Sequence, residues 1–508
     1  MVNFIKNNYK VWEKNLIFYG FLIVYAVVAI YLSNELNVWE DETYSLHTSS
    51  NSIPSVISQS YNFEGQPPVY FILLSLWRLI NPGIFFARLF SLLLIAFSAL
   101  FFHRIVRLIS GNDSTRWLVI IFLLNPFTLW AALEIRTYAL LIFLSSVSIY
   151  YFFRFYIDNK IKYLYIFLTI CIIGLYTQYF FSFLIFALVF SVLLLKGWKM
   201  FFKISLYLIP VVLIFLPNLF FVSNQLALVQ SQKFEYSIIS RLSAVLHTPQ
   251  DYMLALNIVP FGLSIRWIIK ITFVVLLVYA YFKLFRNFKA QSNTHLEKIN
   301  LILISIAVLI ILYSAVVAIT GMRYNNKYLA IAFPLFMLLF SIFKIHSSLY
   351  RKLIFGIISV YFALVLVLNY KYPIKYYDFK SVAKYIIKIQ RPNEPILFFS
   401  KVLMPPFSYY YYGHNPLVPL PALTYDNNYY QQNINDTSEL RKSIEKIITA
   451  SKSYILITDT LYRSFYDLKM NKKMVDICLN AHYKITLDTN NFGQNNYENL
   501  RIRRLEKK

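Results

Sequence analysis

The chain has 508 residues, of which 58% are hydrophobic and only 14% are charged, and its formal net charge is +25. Soluble domains usually contain about 25% charged residues, so the composition excludes an ordinary soluble enzyme and predicts a polytopic membrane protein. The two cysteines indicate neither a disulfide framework nor a cysteine metal site. The positive charge is interpreted as cytoplasmic anchoring of loops and not as a nucleic-acid surface.

Long apolar runs divide the first 370 residues. Most are long enough to cross a bilayer core, and we predict about eleven membrane-spanning helices. They lie near residues 15–33, 85–102, 117–133, 137–153, 163–177, 179–195, 204–222, 264–282, 299–320, 328–343 and 353–369. The first run follows three lysines and lacks a small-residue cleavage site, so we expect it to be a retained span and not a cleaved signal peptide.

The loops between these runs predict the orientation of the chain. Short loops rich in Lys and Arg lie in the cytoplasm. If the run 67–80, about 14 residues long, does not cross the membrane, every such loop falls on the side of the N-terminus. If it crossed, all of these loops would lie outside. We therefore predict a cytoplasmic N-terminus and an amphipathic external or re-entrant helix at 67–80.

The composition changes after residue 370. Helical patterns at 381–389 and 438–450 alternate with strand-like runs at 396–400, 454–459 and 483–487. Such alternation predicts a small α/β domain, and the charge argument places it outside the cytoplasm. We thus predict a transmembrane domain over 1–370, with a first external loop at 34–84, and a soluble extracytoplasmic α/β domain over 371–508.

The first external loop contains three consecutive carboxylates, Glu40, Asp41 and Glu42, and no Lys or Arg occurs between Ser33 and Phe63. In a chain of net charge +25, this cluster without basic neighbours needs an explanation. One interpretation is a solvated acidic loop. The other is a catalytic cleft at the membrane surface, in which Asp41 is a base.

Further polar residues lie at the predicted external ends of spans. They are Arg88, Glu134, Arg136, Tyr138, Tyr176, Gln178, Arg323, Lys327 and Tyr328. Each alone is explained as an interfacial side chain that extends toward water. Together they match the chemistry of sugar transfer from a lipid phosphate. Cations bind the phosphate and stabilise the departing charge, while a carboxylate takes the proton of the attacking hydroxyl.

Three stretches carry a resemblance to known proteins. They are Trp39-Glu40-Asp41-Glu42, Gln66-Pro67-Pro68-Val69-Tyr70 and Glu134-Ile135-Arg136-Thr137-Tyr138, with Arg88-Leu89 between the second and third. In this order and spacing, the sequence resembles the GT-C superfamily of polyprenyl-phosphate-sugar glycosyltransferases. It is most similar to the branch of protein O-mannosyltransferases and aminoarabinose transferases, glycosyltransferase family 39.

The resemblance implies a GT-C-like membrane fold in the plasma (inner) membrane. It also implies an inverting transfer, without metal or cofactor, from a polyprenyl-phosphate sugar to a lipid, glycan or protein acceptor of the cell envelope. Asp41 would be the general base and Glu42 an orienting or acceptor-binding partner.

The resemblance also implies roles for the substrate-binding residues. Arg88, Glu134, Arg136 and Tyr138 would shape the cleft, in which we also place Tyr176. Arg323 or Lys327, with Tyr328, would contact the lipid phosphate. The sequence departs from the family at Gln66, where the family has His or Lys, and at Gln178, where many relatives have His. Phosphate binding would therefore depend more on Arg323 and Lys327.

Two other functions stay open. An O-antigen polymerase or ligase is also a polytopic glycan enzyme, but it usually lacks an early Asp-Glu loop and a soluble external domain. A lipid-linked glycan transporter or flippase would have mid-span charges and internal pseudo-repeats. The fifth to ninth predicted spans contain almost no mid-span charge, Lys270 being the nearest case.

Overall fold

The computed structural model describes residues 2–111, 115–223, 237–256, 262–288, 294–320, 325–345, 348–399, 401–420, 452–459, 483–492 and 500–508. The chain divides into two compact units. The first contains residues 1–33 and 65–369, and the second contains residues 34–64 and 370–508. The segment 34–64, predicted as part of the membrane domain's first external loop, therefore folds together with the C-terminal part of the chain.

Helices account for most of the described residues. They are α1 (Val2–Glu35), α2 (Glu40–Thr48), α3 (Ile53–Asn62), α4 (Val69–Arg78), α5 (Ile84–Ser110), α6 (Thr115–Leu124), α7 (Pro126–Leu133), α8 (Tyr138–Asp158), α9 (Ile161–Leu175), α10 (Phe181–Lys196), α11 (Trp198–Phe215), α12 (Ile238–Leu246), α13 (Thr248–Leu254), α14 (Leu263–Phe288), α15 (Thr294–Thr320), α16 (Phe333–Leu338), α17 (Ser348–Tyr370), α18 (Phe379–Ile389) and α19 (Met404–Ser408). Short 3₁₀ helices cover Asn326–Ala332, Leu339–Ile345 and Lys401–Leu403.

The helices of the first unit confirm a polytopic membrane protein. Within the described ranges, eight helices are long and apolar enough to cross a membrane, or nine if α6 and α7 form one bent span. The bend between α6 and α7 is 58°. It occurs because Pro126 has no N–H to continue the hydrogen bonds of α6. The predicted spans 163–177 and 179–195 correspond to α9 and α10, apolar helices of 15 and 16 residues.

Burial differs strongly between these helices. The most apolar windows of α11 and α14 bury only 11% of their residues, whereas that of α8 buries 72%. Exposed apolar side chains on a membrane helix meet lipid, so α11 and α14 have largely lipid-facing surfaces. Helix α8 lies inside the unit and packs against α5, α9 and the 3₁₀ helix Asn326–Ala332.

The predicted helix at 67–80 is confirmed as α4, which has ten residues and is too short to span a bilayer core. Its Trp77 packs against the start of α5. The indole Nε1 of Trp77 donates to the carbonyl of Phe86 at 2.8 Å, and the two rings stack with their centroids 4.7 Å apart. This contact attaches α4 to the bundle through its apolar face.

The second unit contains a five-stranded sheet of order β2-β1-β3-β5-β4. Its strands are β1 (Ile396–Phe399), β2 (Leu417–Leu420), β3 (Ser453–Asp459), β4 (Tyr483–Phe492) and β5 (Leu500–Lys507). Strand β1 pairs in parallel with β2 and β3, while β5 pairs antiparallel with β3 and β4. The core between α18 and the sheet is apolar and contains Val382, Ile386, Phe398 and Ile457.

The helix and strands predicted between residues 381 and 487 are confirmed where the structure describes them. The helix at 381–389 is part of α18, and the three predicted strands are β1, β3 and β4. The predicted helix at 438–450 lies outside the described residues. Strand β2 was not predicted because it contains Pro419. Its position at the edge of the sheet explains why a residue without an N–H is tolerated.

Candidate functional site

The acidic cluster starts a helix. Trp39 has extended backbone angles and precedes α2, and Glu40, Asp41 and Glu42 form the first turn. The N–H of Thr43 donates to the carbonyl of Trp39 at 3.1 Å, which closes that turn. Carboxylates are favoured there because the first N–H groups of a helix point outward and give its N-terminus a partial positive charge.

Glu42 is buried and paired with a cation. Its side chain is 0% exposed, and Nζ of Lys375, itself 9% exposed, donates to its Oε1 at 2.8 Å. A carboxylate that leaves water needs a partner of opposite charge and a hydrogen-bond donor, and Lys375 supplies both. At Glu42 the cluster is therefore not a solvated acidic loop.

Asp41 differs from Glu42 in its burial. It is partly exposed and, as the residue next to Glu42 on a helix, projects about 100° away from it. The carboxylate of Glu40 accepts a hydrogen bond from the hydroxyl of Tyr44 at 2.8 Å. Further along α2, burial lowers the pKa of His47 below its ordinary value, so the imidazole is neutral at pH 7. The start of α2 thus presents a carboxylate at its accessible side.

The segment before α2 is held by the C-terminal part of the same unit. Asn37 is buried, and its Oδ1 accepts from the backbone N–H of Lys375 at 2.7 Å. Its Nδ2 donates to the carbonyls of Lys375 and Tyr377 at 2.9 and 2.8 Å. The N–H of Val38 donates to the hydroxyl of Tyr410 at 2.7 Å. The position of α2 is therefore determined by residues from 375 onward.

In the first unit, Arg88 lies at the start of α5 and is fully buried. Its guanidinium donates to the carbonyl of Ser33 at 3.0 Å, near the C-terminal end of α1. Carbonyls at a helix C-terminus lack intrahelical donors and attract cations. One helical turn later, the hydroxyl of Ser91 donates to the carbonyl of Glu134 at 2.6 Å. This side of α5 therefore contacts both the end of α1 and the predicted cleft residue Glu134.

Glu134, Arg136 and Tyr138 form the corner between α7 and α8. Glu134 has extended backbone angles after the end of α7, and Tyr138 is the first residue of α8. All three residues are buried. The Nζ of Lys327 lies over the ring of Tyr138, 5.8 Å from its centroid. The structure thus brings together Tyr138 and Lys327, which are distant in sequence.

A second set of contacts links the turn between α9 and α10 to the same region. The ring of Tyr328 lies 6.3 Å from that of Phe180. The carbonyl of Tyr176 accepts from the N–H of Val69 at 3.1 Å, which places the start of α4 beside this turn. The hydroxyl of Tyr176 donates to the carbonyl of Ile214 at 2.8 Å.

Gln66 and Gln178 flank this backbone link in the sequence, and their side-chain oxygens share one property. The Oε1 atoms of both side chains are buried, and neither has a hydrogen-bond partner among the residues that the structure describes. Buried polar atoms are nearly always hydrogen-bonded, so an unpartnered amide oxygen needs a donor from elsewhere. These two oxygens are available to a ligand that carries hydroxyl or N–H groups.

Arg323 lies outside the described residues. The sequence analysis missed two residues, Asp251 and Tyr252, which contact Asn326 next to Lys327. The carboxylate of Asp251, on α13, is hydrogen-bonded by the side chain of Asn326, and burial raises the pKa of Asp251 to about 6. The hydroxyl of Tyr252 donates to the carbonyl of Asn326. The sequence around Asp251 contains no motif that would have identified it.

The family model of dolichyl-phosphate-mannose-protein mannosyltransferases matches residues 65–221. The solved structure of ArnT from Cupriavidus metallidurans in the apo state is similar to this chain with a TM-score of 0.58. At 11% identity, the match covers 95% of this chain and 98% of ArnT. The chain therefore has an ArnT-like GT-C fold, and its residues 65–221 resemble this mannosyltransferase family. The predicted resemblance and fold class are confirmed.

Two further solved structures are similar to this chain at lower scores. ArnT from Cupriavidus metallidurans bound to undecaprenyl phosphate has a TM-score of 0.44 at 12% identity, covering 95% of this chain and 98% of that one. The oligosaccharyltransferase of Archaeoglobus fulgidus in complex with Zn and sulfate has a TM-score of 0.41 at 11% identity, covering 86% and 68%. No curated protein matches the sequence.

The family match covers α4 to α11 of this chain. It includes Arg88, the corner from Glu134 to Tyr138, and the turn with Tyr176 and Gln178. The acidic cluster at the start of α2 lies before the matched segment. Among the described residues, no group of three or more His, Cys, Asp and Glu is placed to hold a metal ion.

Proposed function

We propose that this protein is a GT-C glycosyltransferase, which transfers a sugar from a polyprenyl-phosphate donor to a hydroxyl of a lipid, glycan or protein acceptor. Asp41 is the general base. The observation that supports this role is a difference in burial between two adjacent carboxylates on α2. Glu42 is buried and neutralised by Lys375, whereas Asp41 is partly exposed. A base must reach its substrate, and an accessible carboxylate meets that requirement.

The reaction is a single displacement. The acceptor oxygen attacks the anomeric carbon, its proton passes to the carboxylate of Asp41, and the bond from the anomeric carbon to the phosphate oxygen breaks. The polyprenyl phosphate leaves with the bonding electrons. Attack opposite to the leaving group inverts the anomeric configuration. No metal or cofactor takes part in this scheme.

Donor recognition is proposed for the first unit. Lys327, with Arg323 and Tyr328, binds the phosphate, since an ammonium or guanidinium group stabilises both bound and departing negative charge. Arg88, Glu134, Arg136, Tyr138 and Tyr176 shape the surrounding cleft. The unpartnered oxygens of Gln66 and Gln178 accept hydrogen bonds. They fit sugar hydroxyls better than phosphate oxygens, which have no proton to donate at neutral pH.

The proposed location follows from the distribution of Lys and Arg. The N-terminus is cytoplasmic, and the acidic cluster and the C-terminal sheet domain are extracytoplasmic. The donor's isoprenoid chain stays in the lipid of the plasma (inner) membrane, and the acceptor belongs to the cell envelope.

The test is a transfer assay with a panel of radiolabelled polyprenyl-phosphate sugars in membranes containing the wild type, Asp41→Asn or Glu40→Gln. Glu40→Gln is the matched control because its amide oxygen still accepts from Tyr44. We expect the wild type and Glu40→Gln to transfer one sugar. Asp41→Asn should lose at least about 100-fold in rate, the usual contribution of a general base, while still binding the donor. Normal transfer by Asp41→Asn would overturn the assignment.

A further inference from the structure

Lys375 connects the start of α2 to the segment between α17 and α18. In sequence, Lys375 and Glu42 are 333 residues apart. The pair is almost completely enclosed, with side-chain exposures of 9% for Lys375 and 0% for Glu42. An exposed ion pair contributes little to structure, but breaking a buried pair leaves an uncompensated charge inside the protein. The orientation of Glu42 is thus tied to Lys375.

The backbone around Lys375 is fixed by independent contacts with the residues that precede α2. Asn37 holds the N–H and carbonyl of Lys375, and Trp39 packs its ring 4.7 Å from that of Tyr376. Tyr376 has a φ of 56°, a left-handed conformation that is costly for a bulky residue. Such a conformation persists only where its surroundings impose it. The conformation of segment 375–377 is therefore fixed by its surroundings, and this segment supports the start of α2.

We propose that Lys375 is a positioning residue for Asp41. By neutralising Glu42 on the buried side of α2, it fixes the rotation of the helix about its axis, and this rotation leaves Asp41 on the accessible side. Without the cation, the carboxylate of Glu42 would turn toward water. Because the two residues are adjacent on one helix, that movement displaces Asp41 as well. This inference rests on the proposed role of Asp41 as the base.

Under this proposal, the C-terminal part of the second unit affects the rate of the reaction indirectly. Lys375 does not touch the reacting atoms, and its removal should change the rate of the chemical step more than the affinity for the donor. A purely structural role would instead reduce the amount of folded protein without changing the rate per folded molecule. The positioning role and the structural role are distinguished by measuring kcat and donor KM per folded molecule. Fluorescence-detected size exclusion gives the amount of folded protein.

The test uses the full-length protein with Lys375→Met, Lys375→Arg, Glu42→Gln and the double variant Glu42→Gln/Lys375→Met. The control is Lys384→Met, which removes an exposed lysine from α18 of the same unit. We expect Lys375→Met to lower kcat by about tenfold or more with little change in donor KM, and Lys375→Arg to restore most of it. If the two residues act through each other, the double variant should be no worse than Glu42→Gln alone.

Wild-type kcat in Lys375→Met would overturn the proposal, as would losses that multiply in the double variant. If Lys375→Met does not fold, the double variant decides: it lacks the unpaired charge, and a further tenfold loss beyond that of Glu42→Gln counts against positioning. Asp41→Asn in the same assay separates the two hypotheses. If Asp41→Asn is inactive while Lys375→Met is normal, only the positioning role fails. If Asp41→Asn is active, the proposed function fails.

Discussion

The ammonium group of Lys375 donates a hydrogen bond of 2.8 Å to a carboxylate oxygen of Glu42, 333 residues earlier in the chain. Through this pair and the hydrogen bonds of Asn37, the segment containing the proposed base belongs to the same compact unit as the C-terminal sheet. The sheet domain therefore supports the segment 34–64 directly. Four predictions test other parts of the structure.

Arg88→Met should destabilise the first unit. The carbonyl of Ser33 would lose a buried charged donor, and hydrogen bonds of this kind contribute about 1.5–3 kcal/mol. The measurement is thermal unfolding of the purified protein in detergent. Arg107→Met is the control, since Arg107 is an exposed arginine on the same helix. Equal midpoints for Arg88→Met and Arg107→Met would contradict the structural role of Arg88.

Lys327→Met should weaken donor binding. We expect donor KM to rise about tenfold, equivalent to about 1.4 kcal/mol, because the phosphate loses a cation that lies over the ring of Tyr138. Lys327→Arg keeps the charge and should bind nearly as well. Kinetics with the preferred donor measure this effect, with Lys199→Met, an exposed lysine of α11, as control. An unchanged KM in Lys327→Met would remove Lys327 from the phosphate site.

Gly174→Ala should disturb the turn that carries Tyr176 and Gln178. A Cβ at Gly174 would overlap the ring of Phe181, which is fully buried and has little room to move. Overpacking of this kind costs about 1–3 kcal/mol. Gly356→Ala, on α17, is the matched control because its Cβ meets nothing within 4 Å. Thermal unfolding should show a loss for Gly174→Ala alone; an equal or higher midpoint would show that Phe181 can yield.

Asp251 should make stability depend on pH. Its helix α13 is not among the candidate spans, and burial raises its pKa from 3.8 to about 6. A carboxyl group with a raised folded-state pKa contributes stability that is present below pH 3.8 and is lost as the pH rises through about 6. The unfolding midpoint of Asp251→Asn, relative to the wild type, should therefore rise between pH 4 and pH 7.

Asp488 provides a control of opposite sign for this pH series. A hydrogen bond from the guanidinium of Arg501 is the main cause that lowers the pKa of Asp488. Its stabilising contribution is present above the ordinary carboxyl pKa and is lost as the pH falls through the lowered value. Asp488→Asn should therefore be slightly less stable than the wild type at pH 7 and approach it in acid. Parallel curves for both variants would refute the assignment for Asp251.

The sequence alone determined the membrane-spanning helices, the short helix α4 and most of the described sheet domain. Apolar runs without charge identify spans because a bilayer excludes unpaired charges and requires internally bonded backbone. The strands β1 and β3 were predictable because both are continuous apolar runs. The ordered motifs of residues 39–138 also indicated a resemblance to the GT-C superfamily, since such motifs consist of particular side chains at set spacings and do not depend on the tertiary structure.

Other elements were decided only by tertiary structure. Strand β5 contains Arg501, Arg503 and Arg504, a composition that does not predict a largely buried strand. Arg504 is accommodated because its guanidinium binds both carboxylate oxygens of Glu394, at 3.0 and 3.1 Å. No local sequence pattern predicts such a pair, because the strong attraction between its charges develops only when distant segments exclude water from both.

The environment of the acidic cluster also depends on an ion pair between distant segments. From the sequence, a solvated loop and a catalytic site were both compatible with three carboxylates that lack neighbouring cations. The tertiary structure distinguishes Glu42, which is buried beside Lys375, from Glu40 and Asp41, which are both partly exposed. Residue type and spacing indicated the family, whereas the burial of individual charges depended on which distant segments fold around them.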